Sequence, residues 1–123
     1  MPTREQAVAL FEQRRRAWLA EDVDAYMALW AEDMRFQSPV HAEPLDREAF
    51  VALVRRAFAA SRPLHFEITQ LAVAGDAVLA EWRIVVERRV GGRQVEWWGM
   101  SVAEMRAGLI HRWREYWNPT DVV

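Results

Sequence analysis

Apolar residues in the first half of the chain recur with the period of a helix, and those in the second half with the period of a strand. Ala7, Leu10, Phe11, Arg14, Ala17 and Trp18 share one side of a helical wheel, with Thr3 and Gln6 spaced as a capping box at its start. Asp22 restarts the pattern as the cap of a short second helix whose inner face holds Tyr26, Met27 and Trp30. A strand is expected over Met34 to Pro39. Asp46 then caps a third helix carrying Phe50, Leu53, Val54, Ala57 and Phe58 at i, i+3, i+4, i+7, i+8 spacing, and Pro63 stops it.

From Leu64 onward the period is two. Turn signals at Gly75-Asp76, Gly91-Gly92 and Ala107-Gly108 cut the remainder into four long strands. The order α-α-β-α-β-β-β-β predicts an α+β fold, one domain over residues 1–123, with helices on a curved antiparallel sheet because hairpins join antiparallel neighbours. Val78, Ala80, Trp82, Ile84 and Val86 form the apolar, covered face of their strand. Periodicity leaves the next strand open between Trp97, Gly99, Ser101, Ala103 and Trp98, Met100, Val102, Glu104. In the last strand Leu109, His111, Trp113, Glu115 and Trp117 are expected inside, since two arginines share the alternate set.

Composition narrows the chemistry. With 52% hydrophobic and 28% charged residues the chain is of ordinary globular make-up. A net charge of −2 offers no field for phosphate backbones or anionic lipid, so nucleic acid and membrane are not expected partners. Arg15 and Arg16 read as solvated charges. Cysteine is absent, which excludes thiolate nucleophiles and cysteine metal sites. All 16 basic residues are arginine, which excludes Schiff-base chemistry on a protein amine. The three histidines share no ligand spacing, so no metal and no cofactor are expected; His41 falls in a loop near the pocket mouth, and His65 and His111 read as strand residues. With no secretory pattern at the N-terminus and no run long enough to span a bilayer, the expected location is cytoplasmic.

The sharpest chemical feature is Glu115, a carboxylate between two indoles. Enclosure by rings disfavours its charged form and moves it toward useful proton transfer. Arg14, in the apolar face of the first helix, enters the same interior. An Arg14–Glu115 pair would act in the opposite sense, leaving catalytic and structural roles both open. Of the tryptophans, Trp18 and Trp30 are read as core, and Trp82, Trp97, Trp113 and Trp117 as lining one pocket for a small hydrophobic molecule.

The element order and several motifs resemble the nuclear transport factor 2-like superfamily, the cone-shaped α+β barrel fold that includes SnoaL-like polyketide cyclases. The likeness covers essentially the whole chain. Its landmarks are Ala31-Glu32-Asp33, Ser38-Pro39, Gly75-Asp76, and Gly108-Leu109-Ile110 leading to Trp113-Arg114-Glu115-Tyr116-Trp117-Asn118-Pro119. That last segment resembles the ending of the phenazine-biosynthesis A/B proteins, where the glutamate is a pocket acid, and the corresponding segment of limonene epoxide hydrolases, where an aspartate is catalytic. The resemblance implies a pocket acid at Glu115.

Departures matter equally. Trp82 and Ile84 stand where limonene epoxide hydrolases carry arginine and a second aspartate, and Phe36 and Ser38 where they hold water. Ser38 and Ser101 replace the acids of ketosteroid isomerases, whose tyrosine falls near Arg14. Neither inherited constellation is present. The resulting expectation is a cofactor-independent acid–base enzyme of the cyclase, isomerase, dehydratase or hydrolase type, acting on an apolar ring- or carbonyl-containing metabolite. Glu115 and Arg14 are its catalytic candidates, and Phe36, Ser38, Trp82, Ile84, Trp97, Ser101, Trp113 and Trp117 its ligand-binding ones. The alternative is a non-catalytic binding protein for a small hydrophobic ligand. Trp98, Met100, Val102 and Tyr116 on the outer sheet face suggest a homodimer.

Overall fold

The computed structural model describes residues 1–122. Three helices, α1 (Arg4–Leu19), α2 (Val23–Met27) and α3 (Arg47–Ala60), cover one face of a sheet built from β1 (Trp30–Gln37), β2 (Ser61–Ala74), β3 (Ala77–Arg88), β4 (Gln94–Arg106) and β5 (Leu109–Trp117), followed by a 3-10 helix at Pro119–Val122. Each α-helix begins where its cap residue stands: Thr3, Asp22 and Asp46 accept the backbone N–H of Gln6, Ala25 and Ala49. Thr3 and Gln6 complete the reciprocal capping box.

The α+β class and element order match the sequence reading, while the sheet departs from it in four places. Its strand order is β1-β5-β4-β3-β2, with β1 parallel to β5, so the sheet is mixed and open. The hairpin rule governs only β2 to β5. A helix separates β1 from β2, which frees β1 to join the far edge in parallel. Trp30 opens β1 and is not part of the second helix, which has only five residues. Pro63 lies inside β2, and α3 ends three residues earlier; an edge strand tolerates proline, and bulges between Pro63 and His65 and between Ile68 and Gln70 bend it around the helices.

The fourth departure fixes the site. In β5, Ile110 pairs with Met105 and Arg112 with Glu104, so His111 is an extra residue bulged out of the ladder. The bulge reverses the alternation. Before it Ile110 is fully buried and Leu109 is 37% exposed; after it Trp113 is buried, with Glu115 and Trp117 half-buried on the same side. The expectation that Leu109 and His111 point inward is thereby corrected. His111 instead approaches Arg106 and Asp33 on the outside.

In β4 the inner set is Trp97, Gly99, Ser101 and Ala103. Gly99 lies directly across from Trp82, and a Cβ there would stand 2.4 Å from the indole. Trp82 can lie across β4 because that position is glycine. The core runs continuously from Phe11 and Trp113 through Trp30, Phe50 and Phe36 to Phe66 and Trp82. On the opposite sheet face Trp98, Met100 and Tyr116 stand exposed.

Candidate active site

Helices and sheet do not meet everywhere, and between them lies a cavity of about 300 Å³, at the lower end of ordinary small-molecule sites. Its wall is mostly apolar: Trp18 from α1, Phe50, Leu53, Val54 and Phe58 from α3, Phe66 from β2, Ile84 and Val86 from β3, Trp97 from β4 and Trp117 from β5. The polar groups are few: Arg14, Tyr26, Ser38, His41, Ser61, Arg88 and Glu115.

Glu115 is held by its own strand. Trp113 Nε1 donates to Oε1 at 2.8 Å and Trp117 Nε1 to Oε2 at 2.7 Å. Residues two apart on a strand share a face, so the alternation Trp-x-Glu-x-Trp makes this clamp locally. Burial raises the Glu115 pKa above that of an ordinary glutamate, opposed by the two indole hydrogen bonds and by the charge of Arg14. Each carboxylate oxygen has one indole partner and retains capacity for a further proton.

Arg14 does not pair with Glu115. Its Nη2 donates to the Tyr26 hydroxyl at 2.7 Å, and its guanidinium carbon lies 4.1 Å from the Trp113 ring centroid, with the Tyr26 and Phe66 rings at 5.2 and 5.4 Å. Aromatic faces therefore supply much of the environment of this charge. The side chain is only 6% exposed, and its Nε and Nη1 find no hydrogen-bond partner among the described residues. Tyr26 is buried, which raises its pKa, so the phenol stays protonated; the Arg14 charge opposes this and that of Glu115 reinforces it. Its oxygen already accepts from Arg14, and no described residue accepts its proton.

Of the residues singled out in the sequence, Arg14, Phe36, Ser38, Ile84, Trp97, Glu115 and Trp117 come together on the cavity wall. Trp82, Ser101 and Trp113 do not line it. Trp82 donates to Ser101 Oγ at 3.3 Å in the packed layer behind, and Trp113 is sandwiched between Phe11 and Trp30. Trp18, read as core, is on the wall. Tyr26 was legible only as an inward residue of α2; the signal for more was a phenol on an otherwise apolar face. Arg88 gave no signal beyond its strand alternation, and Ser61, ahead of the expected strand, gave none. No cluster of three or more metal-ligating side chains forms among the described residues.

An open curved sheet lies under three helices, and the largely apolar cavity between them carries Glu115 on its wall. The chain belongs to the SnoaL-like domain family, whose model matches residues 11–113. No curated protein matches the sequence. Among solved structures, a proposed isomerase from Bacillus subtilis is similar at a TM-score of 0.86 and 23% identity, covering 98% of this chain and 92% of that one. An LEH-like epoxide hydrolase from M. tuberculosis matches at 0.80 and 24%, covering 98% and 89%. A proposed polyketide cyclase from Xanthomonas campestris matches at 0.77 and 24%, covering 96% and 94%. At these identities the likeness establishes the fold, which is that of the nuclear transport factor 2-like superfamily; chemistry has to be argued from the site.

Proposed function

We propose that this protein is a cofactor-independent acid–base enzyme acting on a small, largely apolar carbonyl compound. Glu115 is the general base, and Tyr26, oriented and polarised by Arg14, holds the carbonyl oxygen. The observation that carries the reading is the Glu115 carboxylate itself: clamped by two indoles, raised in pKa by burial, and facing a cavity whose wall is mostly apolar. A base of raised pKa that is held in one orientation suits removal of a proton from carbon beside a carbonyl. The negative charge that builds on oxygen meets an unengaged phenol proton and the Arg14 cation behind it. The apolar wall fits the remainder of the molecule.

The test uses 2-tetralone, a compact aromatic ketone, in D2O. Proton NMR follows loss of its α-hydrogens. The wild type is expected to accelerate exchange, and Glu115→Gln, which keeps shape but cannot take the proton, to lower the rate by about 10²- to 10⁴-fold. Binding of 2-tetralone without exchange, or exchange indifferent to Glu115→Gln, overturns the reading and leaves a pocket that only holds its ligand.

A further inference from the structure

Removing and returning a proton at one carbon needs a single group, and Glu115 would suffice. The cavity holds a second. Ser38 and His41, where β1 runs into the following loop, line the same wall, and Ser38 Oγ lies 2.7 Å from His41 Nδ1. The backbone builds this contact: His41 N–H donates to the Ser38 carbonyl at 3.1 Å, and Val40 N–H to Ser38 Oγ at 3.4 Å. The Phe36 ring meets the imidazole edge-on at 6.0 Å, and Ser38 is buried.

The partner type matters here. A hydroxyl donates to a neutral imidazole and accepts from a protonated one, so the Ser38–His41 bond persists in both states. The ring therefore keeps its orientation while a proton enters or leaves at Nε2, for which no described residue provides a partner. Among the described residues the other charged or titratable groups on the wall are Arg14, Tyr26, Arg88 and Glu115, and Glu115 is the one carboxylate side chain among them. Imidazole is the side chain best suited to deliver a proton where Glu115 removes one.

We propose that His41, steadied by Ser38, is the acid of a two-group elimination, and that the substrate class is a β-hydroxy carbonyl compound. The proposal rests on Glu115 as base. Glu115 takes the α-proton, the C–H electron pair becomes the C=C bond, and the bond from the β-carbon to its hydroxyl breaks. The departing oxygen takes the Nε2 proton of the imidazolium and leaves as water. Glu115 and His41 regain their starting states by proton exchange with solvent. Tyr26 and Arg14 hold the carbonyl oxygen throughout.

Two ketones separate the two roles. 4-Hydroxy-4-phenylbutan-2-one must expel hydroxide, which needs an acid; 4-(4-nitrophenoxy)butan-2-one expels a stable phenoxide, which does not. Release of the conjugated enone and of nitrophenoxide is followed by absorbance. His41→Asn is expected to slow the hydroxy ketone by about 10²- to 10⁴-fold and to slow the nitrophenoxy ketone far less. Ser38→Ala should show the same selectivity to a smaller extent, and Glu115→Gln should slow both ketones. If His41→Asn spares both substrates or slows both equally, the assignment to His41 is wrong while Glu115 stands. If Glu115→Gln spares both, or the wild type eliminates neither, the base is wrong and the elimination falls with it.

Discussion

Arg14 binds Tyr26, not Glu115, although cation and carboxylate look into one cavity: the guanidinium donates to the phenol at 2.7 Å and rests on the Trp113 ring. The two charges act on each other through space without closing an ion pair. A closed pair would leave neither group free for a ligand. This arrangement leaves the carboxylate able to take a proton and the phenol able to donate one.

Replacing Arg14 by Met should push the Glu115 pKa further up, since the arginine charge opposes the effect of burial. Carboxyl carbon NMR of the variant across pH reads this directly. An unchanged or lower midpoint would mean that the guanidinium does not act on Glu115.

Glu115 also sets a pH dependence of stability, and its sign follows from the direction of the shift. The unfolded group titrates near the ordinary glutamate value of about 4.3, the folded one higher. Its contribution is fully present below the unfolded value and is lost as pH rises through the folded value, because the unfolded chain ionises first. The Tm of the wild type minus that of Glu115→Gln should therefore fall with rising pH across that window and then level off. A difference that grows with pH contradicts a raised pKa.

Tyr26→Phe removes the acceptor of the one hydrogen bond that Arg14 makes. A buried guanidinium with no partner should cost about 1–3 kcal/mol in urea unfolding. Adding Arg14→Met should recover much of this loss, since the unsatisfied charge goes with it. A double variant no more stable than Tyr26→Phe alone would place the cost elsewhere.

Gly99→Ala should destabilise by about 1–3 kcal/mol, because a methyl group at 2.4 Å from the Trp82 indole forces either strand or ring to move. Trp82→Leu, introduced into Gly99→Ala, should make the alanine less costly than it is opposite tryptophan. Strictly additive losses in unfolding free energy would show that the two positions do not touch.

Local signals carried most of this architecture. Thr3, Asp22 and Asp46 announce helix starts by short-range hydrogen bonding, and the face of β3 follows from simple alternation. The inward aim of Glu115 between Trp113 and Trp117 was legible because residues two apart share a face. Long-range relations were not. The parallel β1–β5 pairing depends on which edge remains open once the meander has formed. Trp82 and Trp113 read as wall residues because period two gives a side chain's direction but not its depth, and depth is decided by Phe11, Trp30 and Gly99, distant in sequence. The Ser38–His41 contact and the Arg14–Tyr26 bond required the loop after β1 and the packing of α2 on α1.

The bulge at His111 gives the chemistry of β5 a counting rule. With Ile110 seated in the core, the number of residues that enter the ladder between it and Glu115 determines whether the acid serves the cavity or the solvent. Drawn into the ladder as an ordinary residue, His111 would turn Arg114 and Tyr116 inward and carry the whole Trp-x-Glu-x-Trp clamp to the outer surface, whereas its deletion would leave regular alternation with the clamp still on the cavity side. The aim of the acid thus rests on one residue being kept out of the ladder.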